Sequence, residues 1–85
     1  MLYRMLTEDI NRDDILELTS NEFDGFTIYK ATGYWQGVGE NSLIIEVISE
    51  NDIADKWQAL AETIKANNKQ QAVLIETMQN HSYMV

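Results

Sequence analysis

The sequence predicts an α+β fold whose elements follow the order β-α-β-β-α-β. Three observations carry the prediction. Two stretches show helical spacing of apolar residues behind helix-start residues. Four runs alternate or are rich in β-branched and aromatic residues. One of these, Leu43 to Ile48, is apolar on both faces, as a central strand is. That order fits the ferredoxin-like split βαβ arrangement, one antiparallel sheet with two helices on one face. Eighty-five residues make one domain, 1–85.

The first strand is expected at about Leu2 to Thr7, with Leu2, Arg4 and Leu6 on one face and Tyr3, Met5 and Thr7 on the other. A short helix follows, N-capped by Asn11 and ending near Asn21. Asp13 and Asp14 suit its first turn, where the helix dipole favours acids. Ile10 and Ile15 have the spacing of a hydrophobic staple. Asp24-Gly25 signals a turn into a second strand, Phe26 to Ala31. A glycine-rich loop, Gly33 to Asn41, leads to the third strand, Leu43 to Ile48. The second helix starts near Asn51 or Asp52, and Ile53, Trp57, Leu60 and Ile64 form its stripe. Asn67-Asn68 is expected as its left-handed stop. The last strand is read at about Ala72 to Thr77, and the tail Asn80 to Val85 as a segment to pair at an edge or dock on a neighbour.

Helices on one side only leave the second face of the third strand wet. A neighbouring subunit is an economical cover, because so small a domain has a thin core and no cysteine to staple it.

The absence of cysteine fits a reducing cytoplasm. The start Met1-Leu2-Tyr3-Arg4 has no apolar region behind it, so no signal peptide is read there. No uncharged apolar run, Leu43-Ile44-Ile45 included, approaches the length of a membrane span, so the expectation is a soluble, cytoplasmic protein with no membrane partner. Formal net charge is −8, with 14 acids against 6 Lys and Arg, and no basic stripe suits nucleic acid. Glu8, Asp9, Asp13, Asp14, Glu17, Glu22 and Asp24 crowd the first third with only Arg12 among them. Two readings stay open: a solvated helix face, or an acidic surface that docks on a basic partner or mimics DNA.

The stretch Gly33-Tyr34-Trp35-Gln36-Gly37-Val38-Gly39-Glu40-Asn41 holds three of the four glycines. It is no phosphate cradle, for it lacks the Walker Lys and Ser or Thr. It is no dinucleotide fingerprint, for Gly37-Val38-Gly39 opens a strand and not a helix. Backbone freedom remains, either for a hairpin with bulges or for close approach of a ligand. Tyr34 and Trp35 are adjacent on an extended chain and point to opposite sides, so one is free to stack on a purine or plug a neighbour. Glu40 sits where the loop becomes a strand, suited to hold an ammonium group or act as a base. Glu46 lies between Ile44 and Ile48, either paired with Arg4 or Lys30 or facing a cleft. His81, without cysteines or an acid pair beside it, makes no metal site and, with Ser82 in a tail, no triad.

The run from Phe26-Thr27-Ile28-Tyr29 through Gly33-Tyr34-Trp35-Gln36-Gly37, Glu40-Asn41-Ser42 and Leu43-Ile44-Ile45-Glu46-Val47 to Gln70-Gln71-Ala72-Val73-Leu74 resembles PII-like proteins. These are ferredoxin-like domains that close into trimers and bind small molecules between subunits. Within that group it looks like the phage S-adenosylmethionine lyases, also called SAM hydrolases. The resemblance spans about Phe26 to Met78. It implies a homotrimer that binds an adenosine-type ligand and cleaves S-adenosylmethionine to methylthioadenosine and homoserine lactone. It implies Glu40 as the catalytic acid, with Gly33, Tyr34, Trp35, Gly37, Gly39 and Glu46 around the ligand and neither metal nor cofactor. A phage protein of this kind would work in the host cytoplasm. Two other functions fit the same residues: an acidic interaction or inhibitor protein acting through its first helix, and a ligand sponge or sensor without turnover.

Overall fold

The computed structural model describes residues 1–79; the tail 80–85, with His81 and Ser82, lies outside the described residues. The elements are β1 (Leu2–Glu8), α1 (Arg12–Glu22), β2 (Thr27–Trp35), β3 (Val38–Ile48), α2 (Ala54–Asn67) and β4 (Leu74–Met78). The strands form one antiparallel sheet in the order β2-β3-β1-β4, the ferredoxin-like arrangement.

Alternation in β1 and β3 sets the sheet's two faces. Tyr3, Met5, Thr7, Leu43, Ile45 and Val47 turn inward and are buried. The helices cover that face with Ile15 and Thr19 from α1 and Trp57, Leu60, Ala61 and Ile64 from α2. The Trp57 stripe is therefore core-facing, as helical spacing predicts. Its indole N–H donates to the Arg4 carbonyl at 3.2 Å. Its ring meets Phe23 edge-on at 5.5 Å and Tyr3 at 6.4 Å. Every buried side-chain polar atom among the described residues has a partner. Thr19 returns its hydroxyl to the Ile15 carbonyl at 2.7 Å. The buried Gln70 amide accepts from the Glu8 backbone N–H at 3.1 Å and donates to Thr7 Oγ1 at 2.7 Å, which ties the chain after α2 to the end of β1.

Several boundaries differ from the sequence reading. Asn11 precedes α1 in the left-handed region (φ 52°), and its side chain makes no cap. The amide donates instead to Asn68 Oδ1 at 3.0 Å, while the Asn68 amide donates to the Ile10 carbonyl at 3.0 Å. Joining the start of α1 to the end of α2 outcompetes the local cap. Ile15 is buried and Ile10 exposed, so the first turn is anchored by Ile15. The left-handed residue after α2 is Lys69 (φ 54°), and Asn68 is not left-handed (φ −100°). Gln70 N–H reaches the Lys65 carbonyl at 3.0 Å and Lys69 N–H the Ala66 carbonyl at 3.3 Å, a Schellman pairing with lysine where glycine is usual. β4 starts at Leu74, two residues later than expected, because Gln70 holds the preceding segment against β1.

Two substitutions test this frame in urea unfolding. Ile45→Ala lowers stability by about 2–5 kcal/mol, because the emptied site is walled on both sides. Lys69→Gly raises it by about 0.5–1 kcal/mol, because glycine accepts the left-handed conformation without a Cβ clash.

Candidate functional site

β2 and β3 run further than β1 does. β1 pairs with β3 only as far as Glu8 opposite Ser42, and the Asp9 N–H adds a bond to the Asn41 carbonyl at 3.0 Å. Beyond that point Thr32 to Trp35 and Val38 to Asn41 form a two-stranded arm that leaves the sheet. The stretch read as a loop, Gly33 to Asn41, is thus a hairpin in continuous register, without bulges. Only Gln36 and Gly37 turn, with φ 52° and 79°. Positive φ at both central residues is the type I′ pattern, whose twist matches that of the flanking strands.

Register divides the candidate residues between the arm's faces. Tyr34 pairs with Gly39 on the helix side, where a Cβ on Gly39 would stand 3.4 Å from the Tyr34 ring. Trp35 pairs with Val38, and Gly33 with Glu40, on the other side. Tyr34 is 76 % exposed and Trp35 69 %. Gly33 matters for space, since a Cβ there would come within 3.3 Å of Ser42 Oγ. The strip beside the Glu40 carboxylate is thereby kept low. Gly37 occupies the turn at the tip, away from Glu40 along the arm.

The Glu40 side of the arm continues the sheet face that no helix covers. Leu2, Leu6, Ile44, Ile48, Leu74 and Tyr29 lie on it, with Ile48 67 % and Leu74 56 % exposed. Glu46 is on that face too, six residues along β3 from Glu40. At about 3.3 Å per residue the two carboxylates stand roughly 20 Å apart, too far to share a small ligand within one chain. Glu46 instead accepts from Arg4 Nε at 3.1 Å and Nη2 at 2.8 Å. The Arg4 guanidinium is held charged by this bond to Glu46. The Tyr29 phenol is pushed up, first by burial and then by the Glu46 carboxylate near it.

At the base of the arm, Asp9, Lys30, Ala31, Thr32, Asn41 and Ser42 line a shallow cleft. Asp9 is bonded to Arg12, whose guanidinium holds the Asp9 carboxyl below its usual range. Arg4, Lys30 and Ser42 were not singled out as site residues from sequence. Arg4 shares a period-two face with Leu2, and Ser42 one with Glu40, while Lys30 falls on the opposite face beside Leu43; this placement appears once the register is known. Among the described residues no group of three or more His, Cys, Asp or Glu could hold a metal ion, and no helix is long and apolar enough to cross a membrane.

Fold and arm together define a ferredoxin-like domain with an extended β2–β3 hairpin and a sheet face that no helix among the described residues covers. No family model and no curated protein sequence matches the chain. Solved structures do match in fold. A phage SAM lyase in its apo state aligns with TM-score 0.67 and 19 % identity over 87 % of this chain and 75 % of that one. A DUF3240 family protein from Shewanella baltica OS155 aligns with TM-score 0.64 and 16 % identity, over 98 % of this chain and 94 % of that one. A de novo designed protein, Foldit4, aligns with TM-score 0.56 and 19 % identity, over 94 % of each chain. The fold resembles that of the phage SAM lyase, and the designed neighbour shows that this fold also exists without a natural activity behind it.

The Asp9–Arg12 pair has a pH signature. A carboxyl depressed in the folded state contributes stability that is present above its unfolded pKa, about 3.9, and lost as pH falls through the lower folded value. Carbon-detected NMR titration finds Asp9 ionising below the ordinary range in the native chain and returning to it in Arg12→Gln.

Proposed function

We propose that this chain assembles as a homotrimer and binds an adenosine-type small molecule in clefts between subunits, with S-adenosylmethionine as substrate of a lyase reaction. One observation carries the reading: Glu40 and Trp35 lie on the same side of the arm, and that side runs on into the uncovered apolar face. A subunit seated on the face meets the carboxylate and the indole as well. The fold likeness to a phage SAM lyase supports the choice of ligand.

The chemistry suits these residues. The sulfonium is already an activated leaving group, so positioning does most of the catalysis. An oxygen of the substrate's own carboxylate attacks Cγ; the C–O bond forms as the Cγ–S bond breaks. The electron pair goes to sulfur, giving neutral methylthioadenosine and homoserine lactone. Glu40 holds the substrate ammonium and turns the carboxylate towards Cγ, without moving a proton. Trp35 stacks on the adenine, and Gly33 leaves room beside Glu40. Tyr34 on the opposite side supports the arm by covering Gly39.

Incubation with S-adenosylmethionine followed by chromatography tests the reading. Methylthioadenosine and homoserine lactone appear with the native chain. Glu40→Gln slows the reaction about 100-fold, and Trp35→Ala raises KM about tenfold. Binding without product from the native chain would make it a sponge or sensor. Neither product nor heat of binding with S-adenosylmethionine or adenosine would contradict the proposal.

A further inference from the structure

The strand register orders the uncovered face in rows. Ile48, Leu2 and Met78 form one, and Tyr29, Ile44, Leu6 and Leu74 another. Between these apolar rows runs a polar one: Thr27, Glu46, Arg4 and Glu76. Arg4 therefore stands between two carboxylates. Its side-chain bonds, at 3.1 and 2.8 Å, both go to Glu46 Oε2. Among the described residues Glu76 forms no ion pair. Arg4 is the one cation among the described residues whose register places it on this face, while Glu8, Glu40, Glu46 and Glu76 all lie there.

Resting on the proposed assembly, we infer that association of subunits across this face is linked to proton uptake at Glu76. A covering subunit removes water from the polar row along with its apolar neighbours. Glu46 keeps the guanidinium. Glu76 is then a desolvated carboxylate without a cation of its own among the described residues, and burial favours its neutral form. The groups that face it are Arg4 from β1, Glu46 from β3 beyond Arg4, the Tyr29 phenol beside Glu46, and Glu8 at the far end of β1. α2 packs against the other side of β4, so its Glu62 and Lys65 are separated from Glu76 by the sheet.

The sign follows directly. Burial of this carboxylate in the assembly favours the protonated form, so each association event takes up protons. Association is strongest in mild acid and weakens as pH rises, about tenfold per pH unit for every proton linked.

Sedimentation equilibrium from about pH 5 to 8, a range above the free glutamate value, tests this on the full chain. The native protein loses association at least tenfold per pH unit over part of the range. Glu76→Gln associates more tightly at the alkaline end, and its dependence on pH is flattened. Glu8→Gln, altered at the rim, keeps the native slope. A native assembly whose constant ignores pH, or a slope that survives Glu76→Gln, overturns the inference and leaves the assembly standing. Native and Glu76→Gln chains that are both monomeric throughout contradict the assembly itself, and the proton linkage with it.

Discussion

A four-stranded sheet has two faces, and this chain has helices for one of them. Most of the structure follows from that imbalance. Trp57, Ile64 and Ile15 close the inner face around Tyr3, Met5 and Ile45, all nearly or fully buried. The outer face keeps Leu2, Leu6, Ile44, Ile48 and Leu74 in partial or full contact with water. Apolar residues scattered singly on a surface need no explanation, but rows of them on adjacent strands mark an interaction surface. The inner face supplies stability, and the outer face points to what the molecule does.

The arm extends the same logic. Residues beyond Ser42 have no β1 partner and no helix above them, so the hairpin holds itself by ladder bonds and a tight turn. Such a segment is weak alone. Its Trp35, Val38 and Glu40 continue the outer face, so a cover on that face steadies the arm and completes the surroundings of Glu40 together. In the proposed function, assembly and ligand binding are one problem of burying the same surface. The polar row through Arg4 gives that surface a register, since a misplaced partner would strand its charges.

Element order was legible in the sequence because each element buries one face and its pattern shows it. The alternation in Leu2 to Thr7 and the stripe from Ile53 to Ile64 are cases where local spacing and tertiary demand agree. The two-faced apolarity of Leu43 to Ile48 likewise announced an outer face with apolar residues on it. The arm was less legible. Gln36-Gly37 is a weaker turn signal than Asn-Gly, and three glycines in a short stretch read as a loop. Asn11 is a good cap by type, yet Asn68, distant in sequence, claims its amide. The left-handed position fell on Lys69, against propensity, because Gln70 must turn inward to Thr7. The separation of Glu46 from Glu40 was also hidden, since both look close to the glycine stretch until β3 is known to be straight and continuous.

The central claim is that the ligand site forms only where one subunit covers another. Titration calorimetry with S-adenosylmethionine on an Ile44→Asp chain tests it most directly. This substitution puts a charge in the middle of the outer face while leaving the inner core intact. The account predicts a folded monomer by circular dichroism and sedimentation that binds no ligand, beside a native assembly that does. A monomeric Ile44→Asp chain that binds S-adenosylmethionine as tightly as the native protein would place the whole site within one subunit and contradict the account.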